Sequence, residues 1–389
     1  MKIGIITFHF ASNCGAVLQC LALSETLKRL GHEVEVINYR PSYHTNRYKA
    51  LRNPFYFAKR NVLAVQGVKF STFIKKYVKG FSGAIYAWRY YSIIQNMNMK
   101  FKNFVEEYLD ETALYRSLSA LKAKPPVCDA YICGSDQIWN TKLTNNSMDT
   151  AYLLDFGNPE VRRISYAAGV NLSGMKMIPE QYKKLLRNFQ AISLREEYYY
   201  PVFKAFITRN TDIHIDLDPT LLLMGEDYER FMSKEVLEEE PYLLTYTMDD
   251  PSQMEVYKGA KELAEKNGLK IIDISNNPKQ IYKKHIDSRI CGPEEFLWYI
   301  KNARFVISNS YHSTVFALIF GTDFVSIPHS QTGYRVTELL DKIGLSMRYV
   351  NSAEEAIWCY GKKIEVEDVY KRIDYLKKES IDYLKEQLG

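Results

Sequence analysis

The opening forty residues leave this chain few folds to choose from. "KIGIITF" is an apolar run of the length of a buried strand, and "HFASNCG" is a small, polar loop ending in glycine. From Ala16 to Leu30, the residues Ala16, Cys20, Leu23, Leu27 and Leu30 recur at the spacing of one helical face. Gly31 supplies a helix stop and "EVEVINY" begins a second strand. A strand, a helix and a strand in this order predict a parallel pair, and parallel sheets bind ligands in the loops at their carboxyl edge. Asn13 and Gly15, just ahead of the helix, are therefore a candidate anion or sugar site, with Gln19 one turn further in. The bland alternative is that a tight turn simply needs its glycine.

The pattern continues through "CDAYICGSDQIWN", "RRISYAAGV" and "FQAISLREEYYY", each an apolar run ending in small or polar residues, and the first domain is read as 1–218. It restarts at "EEPYLLTYTM", followed by a helix from about Ser252 to Asn267, the strand "LKIIDIS", and a helix opening at Pro293. "RFVIS" and "DFVSIP" complete this second series, and the second domain is read as 219–389. Two successive series predict an α/β protein of two Rossmann-like domains facing a cleft. The final helix, "DVYKRIDYLKKESIDYLKEQL", is expected to pack back on the first domain.

Composition narrows the class. A length of 389 residues suits two domains. Six cysteines without a C-x-x-C pair, and no histidine, cysteine or acidic cluster with ligand spacing, argue for reduced thiols and no metal. No run is long enough to span a bilayer, so a cytoplasmic protein is expected.

The net charge of +5 conceals an asymmetry. From Val36 to Val105 there is no Asp or Glu, while 13 Lys and Arg residues are interleaved with aromatic stretches such as "NPFYFAKR" and "YAWRYYSII". We read a basic, mainly helical insertion at about 41–110. It suits an anionic membrane surface or a lipid-linked substrate, or else forms a solvated helical face. No recognised nucleic-acid motif accompanies the charge, so no nucleic-acid partner is expected.

Two stretches bring candidate chemistry. In "RFVISNSYHSTVFALIFG", a strand runs into an apolar helix closed by Gly321, which puts His312 in the helix's first turn. Free N–H groups there attract anions, with Ser310 and Ser313 as further donors. A capping or packing role for the histidine is the plainer reading. In "GSDQIWN", Gly134 permits close approach, and Ser135 and Asp136 offer a hydroxyl and a carboxylate to a sugar. Trp139 can stack on a sugar ring or be a buried tryptophan.

In this order, "MKIGIITFHFASNCGAVLQCLAL", "YICGSDQIWN", "SYAAG", "SLREEY", "DPTLLL" and "ARFVISNSYHSTVFALIFG" resemble the polysaccharide pyruvyl transferase family. The resemblance implies a GT-B-like fold and transfer of pyruvate from phosphoenolpyruvate to hydroxyls of a sugar, forming a pyruvate ketal. It implies no cofactor beyond phosphoenolpyruvate as donor substrate, and a glycan or lipid-linked oligosaccharide as acceptor, at the inner face of the cell membrane if the basic segment 36–105 engages it.

By the same resemblance His312 is the catalytic acid or base; Asp136, read from its own motif, is the second catalytic candidate, accepting a proton or hydrogen bond from a sugar hydroxyl. Arg195 of "SLREEY" holds carboxylate or phosphate, unless it is a salt bridge to Glu196 or Glu197. The sequence departs from the family pattern where some members carry arginine two residues before the histidine and this chain has Ser310. Arg335, ahead of another helix, is the candidate replacement. The alternative reading is a GT-B glycosyltransferase using a nucleotide-sugar donor, with Glu294, Glu295 or Glu338 as its acidic residue.

Overall fold

The computed structural model describes residues 1–45, 88–144, 147–172, 178–207, 211–248, 250–276, 286–362 and 366–389. Strand β1 (Lys2–Ile6) lies between β2 (Glu33–Val36) and β3 (Ala130–Cys133), parallel to both. Beyond β3 the sheet continues through β5 (Arg162–Ser165), β7 (Ala191–Leu194) and β8 (Asp212–Ile215), again all parallel. Two short strands, β4 (Trp139–Asn140) and β6 (Val170–Asn171), pair beside it. The second sheet has the order β11-β10-β9-β12-β13, where β9 is Tyr242–Tyr246, β10 Lys270–Asp273, β11 Asp287–Ser288, β12 Phe305–Ser308 and β13 Phe324–Ser326.

Side-chain alternation along β9 shows why each sheet is covered on both faces. Leu243 packs outward with Val256, Ala260, Phe305 and Ile307. Its neighbour Leu244 points the other way, into a cluster holding Phe296 and Phe316 of its own domain and Val17, Leu18 and Cys20 of the first domain's opening helix, Cys14–Arg29. One apolar core thus runs between the two domains, and burial of this kind contributes roughly 25 cal/mol per Å².

The helix that carries His312, Tyr311–Phe320, ends where Gly321 adopts φ 67°, and its N–H reaches the carbonyls of Ala317 and Leu318. Residues Val366–Leu388 form the final helix, and it returns to the first sheet. There Tyr383, Leu384 and Leu388 are buried with Ile3, Ile5, Leu23 and Leu27, and the Tyr383 hydroxyl donates to the Ser165 carbonyl at 2.8 Å.

Most of the basic insertion, residues 46–87, lies outside the described residues. Of its flanks, Ser42–Thr45 and Tyr91–Tyr108 are helical. Arg40, Lys100 and Lys102 lie against Glu111, Glu295 and Glu106, and Arg89 lies over the Tyr90 ring. All six cysteines are buried free thiols. Among the described residues no helix is long and apolar enough to cross a membrane, and no group of three or more candidate metal ligands is found.

Candidate active site

In each sheet the chain order reverses beside a central strand, between β1 and β3 in the first and between β9 and β12 in the second. Loops leaving such neighbouring strands diverge and open a crevice at the carboxyl edge. The two crevices face one another across a cleft of about 310 Å³. From the first domain it is lined by Phe8 and Asn13 after β1, and by Asp136 and Gln137 after β3. Met248 after β9, Asn309, Ser310 and His312 after β12, and Arg335 complete the opposite wall. Asn309 fixes that wall, since its amide accepts from Met248 N–H at 2.6 Å and donates to the Met248 carbonyl at 3.2 Å.

Two helix N-termini meet at His312. Its own helix begins one residue earlier, capped by Ser310 in an extended conformation. The other helix starts at Cys14, where Asn13 accepts the Ala16 N–H at 3.1 Å, and its Gly15 lies directly against the imidazole. A side chain at Gly15 would occupy the ring's place, so the glycine serves close approach rather than turn geometry. First-turn N–H groups of both helices, and the buried, unpaired Ser313 hydroxyl, therefore gather around His312.

Behind the histidine lies a fully buried ionic group. Asp218, which follows β8, accepts from Arg195 Nη1 at 2.6 Å and from the Ser135 hydroxyl at 3.3 Å, and its second oxygen accepts from Thr220. His312 Nε2 is 3.4 Å from the same carboxylate without hydrogen-bonding geometry. Burial would raise the Asp218 carboxyl, but His312 and Arg195 outweigh it and hold it far below the usual carboxylate range. Arg195 also donates from Nε to Glu196 at 2.9 Å, which leaves only its buried Nη2 without an acceptor.

Tyr311 separates two guanidinium groups, Arg195 at 4.9 Å and Arg335 at 5.7 Å from its ring centre. Arg195 is neutralised by two carboxylates, whereas Arg335 forms no salt bridge among the described residues and donates from Nε to the Thr332 carbonyl at 3.3 Å. Burial, and then the charge of Arg195, push its pKa down. A partly buried arginine in that condition gains from any anion placed beside it.

The candidates from the sequence thus separate. Asn13, Asp136, Ser310, His312 and Arg335 line the cleft, and Gly15 and Ser313 stand at the histidine. Asp136 holds φ 68°, a strained conformation for a residue with a side chain, and its carboxylate has no salt-bridge partner among the described residues.

Five candidates are corrected in role. Trp139 is turned inward, where its ring stacks on Phe203 at 5.5 Å and its N–H donates to Tyr152, so no face remains for a sugar. Gln19 is buried and donates to Thr7 and Ala16. Gly134 gives close approach to Ile5 and Thr7 of its own domain, not to a ligand. Arg195, with Ser135, holds Asp218 instead of facing the cleft.

Asp218, Tyr311, His329 and Asn309 were not singled out from the sequence. An aspartate preceding Pro219 at a strand end, in "DPTLLL", was the available signal for the first. Glu294, Glu295 and Glu338 do not line the cleft; Glu295 caps its own helix, and Glu338 accepts from the N–H groups of Glu197 and Tyr198.

Two Rossmann-like domains around a cleft of this kind define a protein of GT-B type. A family model described as polysaccharide pyruvyl transferase matches residues 13–331, and the chain belongs to that family. It shares its fold with UDP-GlcNAc 2-epimerase from Methanocaldococcus jannaschii, solved with UDP-GlcNAc and UDP, at 13% identity and TM-score 0.50, covering 97% of this chain and 100% of that one. A second solved structure, S. aureus MnaA with UDP, gives 10% identity and TM-score 0.50, covering 100% of this chain and 96% of that one. No curated protein matches.

Proposed function

We propose that this pyruvyl transferase takes its pyruvyl group from phosphoenolpyruvate and forms a cyclic ketal on two hydroxyls of a glycan. The observation that supports the reading best is Arg335, a cation without a salt-bridged carboxylate among the described residues, on the same cleft wall as His312 and the first turn of its helix. A small ligand bearing a phosphate and a carboxylate matches such a wall.

The reaction adds a proton to the methylene carbon of phosphoenolpyruvate, which becomes a methyl group, and leaves the adjacent carbon electron-poor. One sugar hydroxyl bonds to that carbon, the carbon–oxygen bond to phosphate breaks, and the second hydroxyl bonds in its place. Of the two hydroxyl protons, one balances the proton gained by carbon and the other leaves with phosphate. His312 carries a proton to or from the donor, and Asp136 receives one from the acceptor hydroxyl. Asp218 holds the field at His312 constant through the cycle. Arg335, Ser310, Ser313 and the N–H groups near Asn13 and Gly15 hold the anion, so that Arg335 stands in for the arginine replaced by Ser310.

The acceptor in this reading is a cell-surface polysaccharide or its lipid-linked precursor, met at the cytoplasmic face of the membrane through the basic segment. Thermal-shift titration tests the donor directly: phosphoenolpyruvate must raise the melting temperature, and His312→Ala must alter the response. Stabilisation by nucleotide sugars alone would overturn the proposal. Flotation with anionic vesicles tests the membrane contact, and salt-independent absence of binding would remove it.

A further inference from the structure

A second histidine stands in the same cleft. His329, in the loop after β13, has a side chain 20% exposed and shares the wall with Arg335. Its position is fixed by a tight turn in which its carbonyl accepts from Gly333 N–H at 2.9 Å and from Thr332 N–H at 3.3 Å. The ring is fixed as well: Nδ1 accepts the Gln331 N–H at 3.2 Å, which assigns the hydrogen of the neutral ring to Nε2.

Beyond Nδ1 lies a carboxylate. Asp250 Oδ2 is 3.6 Å away, and Asp250 is itself held by the N–H groups of Ser330 at 3.2 Å and Ser252 at 3.0 Å, and by the Ser330 hydroxyl. Burial would raise the Asp250 carboxyl, but these hydrogen bonds hold it down to about 2, so it is ionised at any pH of interest. Burial pushes the His329 imidazole below its ordinary pKa, and the charge of Arg335 adds to this against the pull of Asp250. The other titratable groups lining the cleft, besides Arg335, are His44, Asp136, Lys142, Tyr311 and His312.

We infer that His329 takes up a proton when the anionic donor enters, and with Arg335 presents a second positive charge to it. The proton comes from solvent and adds to the Nδ1 lone pair, displacing the Gln331 N–H. The contact with Asp250 then becomes a charge-assisted hydrogen bond, while the ring keeps its Nε2–H. An anion beside Arg335 offsets that arginine's repulsion of the ring and adds its own attraction for the charged form against burial, so binding and protonation support one another. This inference rests on the donor reading above for the identity of the anion, but not for its charge.

The test is calorimetric titration with phosphoenolpyruvate in two buffers of different ionisation heat, which counts protons taken up. Wild type and His312→Ala should both take up protons near neutral pH, and wild-type affinity should fall by up to about tenfold per pH unit as pH rises between the free and bound pKa values. His329→Asn should lose that uptake and that slope. Imidazole ¹⁵N spectra of the wild type read the same event without this substitution, through one ring moving to its charged-form shift on saturation. Equal uptake in His329→Asn and wild type, or no ring moving, would overturn the inference. If phosphoenolpyruvate gives no heat the donor reading fails, and the same titration with inorganic phosphate then decides whether His329 answers to an anion.

Discussion

Gly15 and His312 belong to different domains, yet a Cβ built on the glycine would lie 2.0 Å from the Nδ1 of the histidine. The domains therefore approach at the imidazole itself, and the contact leaves no room for one methyl group. Gly15→Ala should displace the imidazole by about an ångström and lower turnover at least about a hundredfold. The fold should lose only about 1–3 kcal/mol, the usual range for overpacking. Phosphate release and the melting temperature, measured together, check this. A variant with unchanged turnover would show that His312 is not where the chemistry occurs.

Asp218 offers a test with a pH signature. Asp218→Asn leaves Arg195 buried with Glu196 alone, and we expect about 3–5 kcal/mol of lost stability at neutral pH. Because the folded-state pKa is depressed, this contribution is fully present above the unfolded carboxyl pKa of about 3.9 and disappears as pH falls toward the folded value. Urea midpoints of both proteins should accordingly differ at pH 7 and converge at acid pH.

Arg335 should behave in the opposite way. Among the described residues it carries no salt bridge to lose, so Arg335→Ala should change stability by less than about 1 kcal/mol. Affinity for phosphoenolpyruvate should nevertheless drop at least about tenfold, and Arg335→Lys should recover only part of it, because a single ammonium cannot reproduce a planar pair of donors. Calorimetry on the three proteins decides; equal affinities would exclude Arg335 as the anion's partner.

A buried carboxyl away from the cleft gives the reverse pH sign. Asp216 is pushed up to about 6 by burial, against hydrogen bonds from Ser193 and Ser380. A raised acid costs stability above its folded pKa and nothing below its unfolded one, so the penalty grows between about pH 4 and pH 6. Asp216→Asn should be more stable than wild type by about 2–3 kcal/mol at pH 8, with the gain vanishing near pH 4. Thermal melts across that range measure it.

What the sequence made legible follows from periodicity. The opening crossover, the helix stopped at Gly268, Pro293 at a helix start and the strand before His312 all rest on local patterns, and each element lies within a few residues of its expected bounds. Strand β8, "DIHI", was missed because it is short and half-buried at the sheet edge, with only two apolar residues. The cleft was harder. Arg195 sits at a strand end as expected, but only the fold brings Asp218 to it from 23 residues away, and that pairing decides which arginine remains available. Trp139 looked like a sugar platform because sequence carries no information about which way an indole turns. His329 gave no local signal, since its interest comes from Asp250 and Arg335, and only folding makes those neighbours.

The return of the final helix also bears on how such a chain is made. Ile3, Ile5, Leu23 and Leu27 emerge early in synthesis, but the side chains that cover them, Tyr383, Leu384 and Leu388, emerge only after the whole second domain. The first domain cannot close its own core while the second is being built, and its apolar sheet face must wait, exposed, through most of translation.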